Sequence, residues 1–290
     1  MTNSGSGNYY ELIVPLEPPH HELCIALLAA EGVESFLEEE HALHGYIPEA
    51  AWNGEMEAAI RLALQSAFGD HPPLRMSLIA DRNWNEEWEA SLQPIELSDR
   101  LLIIQSNSDR KAKPGQLVIT INPKMSFGTG YHATTRLMLR QMEQLELADA
   151  TIMDIGSGTG VLAIAARKLG NTNPIFAFDN SSWAVENAIE NVRENHVDAI
   201  EVCLLDAEED LAERLAGGYS LILANINKNV HDRILPVIAR YAPQASVLLS
   251  GILVYDEPWL KKLVARLGYT IELLLHEEEW VSAHIKPGKA

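Results

Sequence analysis

The clearest sign of a binding site is a glycine-rich segment between an apolar strand and a helix. It covers residues 154–160 and has the sequence DIGSGTG. Glycine permits a tight turn, and it lets a ligand approach where a Cβ atom would collide. The N-terminus of the following helix offers free N–H groups and a partial positive charge to an anionic or polar group. The third glycine of the dinucleotide fingerprint GxGxxG would fall on Val161, so this segment departs from that fingerprint.

Polar side chains end two other strands of the same region. Asp179 follows the apolar residues 176–178, where one carboxylate can accept hydrogen bonds from both hydroxyls of a ribose. Helix capping is the alternative role, although Ser181 and its neighbours can cap that helix equally well. Asn225 ends the apolar strand before it, and we expect it to face the crevice beyond the carboxyl ends of the strands, where ligands bind in such sheets. A turn-forming asparagine is the alternative there.

A second glycine-containing segment precedes the first helix of this region. Residues 126–135 read SFGTGYHATT. The glycines permit a compact loop, and the hydroxyl groups can cap the helix or reach a ligand. We expect this loop, the first glycine segment and Asn225 to converge on one crevice.

The elements around these segments alternate between strand and helix, which predicts an α/β fold with a mostly parallel sheet covered on both faces. Two short strands come first, near residues 100–105 and 117–122. Apolar runs then predict strands over residues 151–155, 174–178, 200–205, 221–226, 246–250, 270–276 and 280–285. Helical spacing predicts helices over residues 132–145, 161–169, 182–195, 230–241 and 258–267.

The N-terminal part has a different pattern, and 290 residues are enough for two domains. Residues 1–80 predict the order βαββαβ of a small α+β, ferredoxin-like domain. Its strands are expected over residues 9–16, 34–40, 42–47 and 74–80, and its helices over residues 18–30 and 50–68. Residues 81–93, with Trp84 and Trp88 on one face, predict a linker helix. Residues 94–290 form the second domain.

Charge limits the partners that the N-terminal part can bind. The net charge is −19, and residues 1–60 contain eleven Glu but no Asp, Lys or Arg. Phosphate contacts need clustered Lys and Arg, so we expect no direct nucleic-acid binding. The acidic surface suits a basic partner, and a merely solvated face is the alternative.

Neither a metal site nor a disulfide is expected. His41 and His44 have the spacing HxxH, but no Cys lies near them and a solvent-exposed pair is the simpler interpretation. Cys24 and Cys203 lie far apart in apolar runs, which indicates reduced thiols. Without a basic N-terminal region, a signal-like apolar core or an apolar stretch of about 18 residues, we expect a cytoplasmic protein that does not enter a membrane.

Taken together, these segments resemble the class I S-adenosylmethionine-dependent methyltransferases, in the glycine loop, in Asp179 after the second strand and in Asn225 after the fourth. The sequence FGTGYHATT of residues 127–135 is similar to the FGTGxHxTT segment of the PrmA family, which methylates a protein of the large ribosomal subunit. The resemblance covers about residues 81–290.

The resemblance implies roles for individual residues. Four positions correspond to cofactor-contacting positions of the family, two more line the same pocket, and Asp206 can touch the adenine. The first four are Thr135, Gly156, Asp179 and Asn225, and the other two are Phe127 and Gly158. It also implies that residues 1–80 recognise a basic ribosomal protein of the large subunit, and that the enzyme is a monomer.

The expected reaction assigns a catalytic role to Asn225. A lysine amine is almost wholly protonated at neutral pH and then has no lone pair. Burial beside a sulfonium cation lowers the pKa of that amine, so no general base is required. We expect the side-chain carbonyl of Asn225 to orient the amine.

The sequence departs from the family pattern in two places, and it leaves three alternative functions to be weighed. Tyr131 and Ala133 replace the usual Thr and Pro, and Asn227 and Lys228 replace Leu and Ala, which puts a cation near the substrate side. One alternative is a nicotinamide-dependent oxidoreductase, although this sequence lacks the third glycine of the dinucleotide fingerprint. An inert adaptor and a methyltransferase with a different protein or small-molecule acceptor are the others.

Overall fold

The computed structural model describes residues 8–33, 35–69, 74–79, 92–124 and 126–288. The chain divides into two compact units, Met1–Trp84 and Asn85–Ala290. Residues 81–91 of the predicted linker helix, including Trp84 and Trp88, lie outside the described residues. The boundaries expected from the sequence therefore remain a prediction.

The smaller unit contains a four-stranded antiparallel sheet with the strand order β2-β3-β1-β4. Its elements alternate as in the ferredoxin-like fold. In chain order they are β1 (Tyr9–Val14), α1 (His21–Ala30), β2 (Ser35–Glu39), β3 (Ala42–Pro48), α2 (Gly54–Phe68) and β4 (Arg75–Ile79).

Alternating burial in its strands gives this unit a core of its own. Leu12 of β1 and Leu43 of β3 belong to one buried cluster with Leu28 of α1 and Leu64 of α2. Helix α2 begins later than predicted because Asn53 caps it, its side-chain oxygen accepting from the backbone N–H groups of the second and third helical residues.

The sequence suggested that both histidines of the HxxH pair are exposed, but only one of them is. His41 is exposed, with Nδ1 3.2 Å from Oε1 of Glu17. His44 is half-buried, with Nδ1 2.9 Å from Oε1 of Glu11. Within the ranges that the structure describes, no cluster of three or more His, Cys, Asp or Glu could hold a metal ion.

The larger unit is built on a seven-stranded sheet with the order β10-β9-β8-β11-β12-β14-β13 and a small sheet with the order β5-β6-β7. The first five strands of the large sheet are parallel, and β14 runs antiparallel to both of its neighbours. The strands are β5 (Ile95–Glu96), β6 (Leu101–Ile104), β7 (Leu117–Thr120), β8 (Ile152–Ile155), β9 (Ile175–Asp179), β10 (Ile200–Leu204), β11 (Leu221–Asn225), β12 (Ser246–Leu253), β13 (Tyr269–Glu277) and β14 (Trp280–Pro287).

Helices cover both faces of the large sheet. They are α3 (Ala133–Met142), α4 (Val161–Lys168), α5 (Ser182–Glu194), α6 (Ala207–Arg214), α7 (Lys228–Tyr241) and α8 (Glu257–Arg266). On one face Met153 packs with Ile234 of α7 and Leu263 of α8. On the other face Ile152 packs with Met138 of α3. Burial on both sides explains the short, continuous apolar runs of the parallel strands. None of the helices within the described part of the chain has the length and apolar character that a membrane crossing requires.

Three features of this unit differ from the predictions. Helix α6 and strand β5 were not predicted; α6 reads AEEDLAER, and Leu211 is its one fully buried residue, so its apolar periodicity is weak. Strand β12 extends past the predicted residue 250 to Leu253 because its register with β14 shifts at a bulge. Gly251 occupies that bulge with a φ of 85°.

Candidate active site

A cavity of about 400 Å³ opens beyond the carboxyl ends of β8, β9 and β11. This is the edge of the sheet at which ligands bind in parallel α/β folds. Five of the six predicted site residues line this cavity, namely Phe127, Gly156, Gly158, Asp179 and Asn225.

Neighbouring residues pack too closely against the first glycine loop to leave room for a side chain at Gly156 or Gly158. Gly158 has a φ of 54°, and a Cβ atom added there would lie 2.2 Å from the carbonyl oxygen of Phe127. At Gly156, with a φ of 68°, a Cβ atom would lie 2.5 Å from Cγ2 of Ile226. The two glycines are therefore required by the approach of neighbouring loops as well as by the turn.

The two glycine segments are joined directly. The backbone N–H of Thr159 donates to the carbonyl oxygen of Phe127 at 2.8 Å, and the Thr159 hydroxyl donates to the carbonyl oxygen of Gly128 at 2.8 Å. Residues 126–130 and 156–160 thus form one wall of the cavity, which we call the glycine side.

The sequence suggested that Asp179 is free to bind a ribose, but both of its carboxylate oxygens already accept a hydrogen bond from the backbone. Its Oδ2 accepts from the backbone N–H of Gly158 at 2.9 Å, and its Oδ1 accepts from the backbone N–H of Ser181 at 3.0 Å. Ser181 caps α5 through its own hydroxyl. Asp179 therefore supports the glycine side, and each of its oxygens keeps a lone pair for a further donor.

Asn225, at the end of β11, is linked to Thr135. Nδ2 of Asn225 donates to the hydroxyl oxygen of Thr135 at 3.4 Å. Oδ1 of Asn225 is buried and has no hydrogen-bond partner among the described residues. Thr135 is fully buried and does not line the cavity, so it reaches the site through Asn225.

A buried histidine that sequence reasoning missed supports Asn225 from behind. Nε2–H of His231 donates to the carbonyl oxygen of Ser250 at 2.8 Å, and Ser250 pairs with Asn225 in the sheet register. The bulge after Leu249 removes this carbonyl from the regular pairing of β12 with β14. We call Thr135, Asn225, His231 and Ser250 the amide side. A histidine four residues after an asparagine cap, in the first turn of an amphipathic helix, was the available signal.

Burial shifts the pKa of two titratable groups behind the cavity wall, Asp154 and His231. Asp154, at the end of β8 just before the glycine loop, has its pKa raised from 3.8 to about 7 by burial, and the nearby Asp179 carboxylate adds to the rise. The backbone N–H of Ala163 opposes it. Burial lowers the pKa of His231 from 6.5 to about 4. The His231 ring is therefore neutral at neutral pH.

Further residues at the cavity were found less readily from the sequence. Asp206 lines the cavity as expected, and it also caps α6 by accepting from the backbone N–H of Glu208 at 2.8 Å. Trp183, Glu208 and Val230 line it as well. The acidic first turn of α6 after an aspartate is a helix-start signal that would have located Glu208.

Three rings form a cluster beside the glycine side. The ring centroid of His132 lies 5.1 Å from that of Phe127 and 4.8 Å from that of Trp280. Burial, followed by the nearby Arg136 guanidinium, lowers the pKa of His132. Arg136 holds this region to the turn between β13 and β14, with Nε 2.6 Å from Oε1 of Glu277.

Two of the positions at which the chain departs from the family, Tyr131 and Lys228, make defined contacts. The Tyr131 hydroxyl donates to the carbonyl oxygen of Gln93, so its larger side chain anchors the loop. Lys228 does not line this cavity, and its expected place near the substrate side stays a prediction. Its Nζ lies 2.5 Å from Oδ1 of Asp256 and 5.2 Å from the centroid of a Trp259 ring.

Comparisons with known proteins agree with this geometry. The model of the family "Ribosomal protein L11 methyltransferase (PrmA)" matches residues 23–287. A protein of that name from Chlorobaculum tepidum is 63% identical over 280 residues, which cover 97% of each chain. One from Bacteroides thetaiotaomicron is 33% identical over 266 residues, 90% of this chain and 92% of its own length. The crystal structure of a ribosomal protein L11 methylase from Lactobacillus delbrueckii subsp. bulgaricus matches with a TM-score of 0.61 and 27% identity, covering 68% of this chain and 100% of that one.

The sheet order and the cavity at its carboxyl edge define a class I methyltransferase. The predicted fold class and enzyme class are confirmed. More particularly, the chain belongs to the PrmA family of ribosomal protein L11 methyltransferases, which confirms the family that the sequence resembled.

Proposed function

We propose that the protein transfers methyl groups from S-adenosylmethionine to amines of ribosomal protein L11. The observation that carries this proposal is the amide of Asn225. Its nitrogen is held by Thr135, while its oxygen is buried and has no partner within the part of the chain that the structure describes. A buried acceptor without a partner is costly, and an incoming N–H donor relieves that cost. An amine is such a donor.

The cavity wall fits the proposed methyl donor. Bare backbone at Gly156 and Gly158 allows close approach, the spare lone pairs of Asp179 suit ribose hydroxyls, and Phe127 contributes an apolar surface. When bound, S-adenosylmethionine supplies a methyl group on an electrophilic sulfonium. We assign Thr135 to the same site through its bond to Asn225.

The residues of the chain need only orient the acceptor amine. Among the described residues that line the cavity there is no His, Lys, Cys or Tyr, and the titratable side chains are the carboxylates of Asp179, Asp206 and Glu208. Desolvation lowers the pKa of a lysine amine and frees its lone pair. The oxygen of Asn225 then fixes the direction of the amine by accepting one of its N–H groups, and positioning of this kind accelerates a displacement.

The acidic N-terminal unit supports a basic acceptor protein. Eleven Glu and no basic residue in positions 1–60 favour lysine-rich surfaces and disfavour nucleic acid. We therefore assign substrate recognition to residues 1–80, a connecting role to residues 81–93 and catalysis to residues 94–290. We also propose that the enzyme works as a cytoplasmic monomer without a metal ion.

Transfer of a labelled methyl group tests the proposal. The protein is incubated with methyl-labelled S-adenosylmethionine and purified ribosomal protein L11, and the label is expected on the amines of that protein. Asn225→Ala should lower kcat about 100-fold because the acceptor loses its orienting group. Asn173→Ala is the control, since Asn173 lies on the loop before β9, does not line the cavity and donates to the carbonyl oxygen of Asp149.

Three outcomes would count against parts of the proposal. Absence of label with the wild-type protein would contradict the methyl donor. Label on another protein of a ribosomal extract, with none on ribosomal protein L11, would contradict the acceptor. Full activity of Asn225→Ala would contradict the role of the amide.

A further inference from the structure

One face of helix α5 carries a hydrogen-bond donor at every fourth residue. Trp183, Asn187, Asn191 and Asn195 share this face, because residues four apart lie one above the other on a helix. Each of the four donates to a backbone carbonyl oxygen outside the helix. We call these residues the donor stripe.

The donor stripe covers the free edge of β7 and the residues that follow it. Asn195 exchanges two hydrogen bonds with the backbone of Thr120, at 2.9 and 2.6 Å. Asn187 donates to the carbonyl oxygen of Asn122 at 2.9 Å, and the Trp183 ring N–H donates to that of Lys124. Strand β7 lies at the edge of its sheet, so side-chain amides take the place of a further strand. They fix the chain that leads into the loop of residues 126–130.

Asn191 differs from the other three because it bonds to the first glycine loop as well as to the chain that leads into the second. Its Oδ1 accepts from the backbone N–H of Asn122 at 3.0 Å, and its Nδ2 donates to the carbonyl oxygen of Thr159 at 3.0 Å. Thr159 in turn holds the carbonyl oxygens of Phe127 and Gly128. These bonds close a ring that contains both loops of the glycine side. Asn191 links this ring of hydrogen bonds to helix α5.

We propose that Asn191 is a positioning residue that sets the spacing of the two glycine loops, and thereby the affinity of the enzyme for its methyl donor. Asn191 itself does not line the cavity, and it is 1% exposed. Loss of its amide leaves the buried carbonyl of Thr159 without a donor, so residues 158–160 must shift to find one. That shift changes the backbone against which the donor packs. The inference depends on the proposed methyl donor.

Asn191→Leu and Asn195→Leu form a matched pair of variants. Both residues are buried asparagines one turn apart, both bond to the backbone of residues 120–122, and both lose similar polar contacts. Only Asn191 bonds to Thr159. If both residues act only in folding, the two variants should change the KM for the donor equally. If Asn191 positions the glycine loops, only Asn191→Leu should raise that KM.

The measurements are the melting temperature, the dissociation constant for S-adenosylmethionine by calorimetry, and the separate KM and kcat values. Asn191→Leu should raise the KM for the donor about tenfold or more, with kcat within about threefold of the wild type. The KM for the acceptor should not change. Asn195→Leu should lower the melting temperature by a similar amount and leave the donor KM within about twofold. Asn191→Asp, which keeps the oxygen that accepts from Asn122, should also weaken donor binding.

Equal changes in donor KM for the matched pair would overturn the inference. An Asn191→Leu protein that melts earlier but binds the donor as the wild type does would overturn it as well. Should Asn191→Leu fail to fold, the same comparison is made with Asn191→Asp. A wild-type protein that does not bind S-adenosylmethionine would overturn the proposed function together with this inference, whereas wild-type binding with an unaffected variant would overturn the inference alone.

Discussion

The two sides of the cavity are built by opposite means. On the glycine side the two loops lie so close together that no room remains for a side chain, as at Gly158, where a Cβ atom would meet the carbonyl oxygen of Phe127. The amide side is held by buried side chains, as in the bonds from Asn225 to Thr135 and from His231 to Ser250. Substitutions of the glycines on the first side should therefore act by collision, and substitutions on the second side by loss of orientation.

The largest predicted effect concerns Asp154 below the glycine side. Its folded-state pKa of about 7 exceeds the unfolded value of 3.8, so the stability it confers is full below pH 3.8 and is lost as the pH rises through about 7. The loss amounts to about 4 kcal/mol. Asparagine does not titrate, so Asp154→Asn removes this pH-dependent loss. Between about pH 4 and pH 8, the difference in free energy of unfolding between the variant and the wild type should therefore move by about 4 kcal/mol in favour of the variant. Urea denaturation without donor measures this, and a gain that is independent of pH would contradict it.

His231, below the amide side, should show the opposite sign. Its folded-state pKa of about 4 lies below the unfolded value of 6.5, so stability is present above pH 6.5 and is lost as the pH falls toward about 4. The loss is about 3 kcal/mol. His231→Gln keeps a donor for Ser250 and should remove this acid sensitivity in the same urea measurements. Parallel pH curves for variant and wild type would refute the assignment.

The Gly158→Ala substitution tests collision on the glycine side. The added Cβ atom would push the loop of Phe127 away, and donor binding by calorimetry should weaken about 100-fold. Gly170→Ala is the control, because Gly170 also has a positive φ but nothing lies within 4 Å of its added Cβ atom. Equal weakening in both variants would assign the effect to backbone strain and not to collision.

The smallest predicted effect is that of Thr135→Val on the amide side. Valine keeps the shape but removes the acceptor for Nδ2 of Asn225, so kcat should fall about tenfold while the donor KM changes little. Thr134→Val is the matched control, since the hydroxyl of Thr134 lies 2.8 Å from Nδ1 of His132. A raised donor KM with unchanged kcat would instead support direct contact of Thr135 with the donor.

The parts of this site that the sequence predicted are those that depend on local constraints. A glycine loop after a buried strand is visible because the turn excludes other residues, and the strands that carry Asp154, Asp179 and Asn225 were recognised as short apolar runs. Polar residues at the ends of such strands must share one edge of the sheet. Convergence of Gly156 and Asn225 on one cavity follows from that geometry.

The parts that were missed depend on partners far away in the sequence. Asn191 bonds to residues 69 and 32 positions earlier, and nothing in its own helix indicates them. The role of His231 depends on a bulge in β12, which sequence periodicity does not reveal. Helix α6 has one buried apolar residue, Leu211, and its charged sequence resembles a solvated loop. Long-range polar pairing, unlike apolar periodicity, leaves no regular trace in a single sequence.

The loops that close the cavity touch each other, with the position of a Cβ atom on Gly156 only 2.5 Å from Ile226. A molecule bound between them is held by the folded chain and not by the unfolded one, so each tenfold excess over its dissociation constant adds about 1.4 kcal/mol to stability. The unit of β1–β4 has a core of its own. The supply of methyl donor in the cell would thus affect the lifetime of the catalytic unit against proteolysis as well as its turnover.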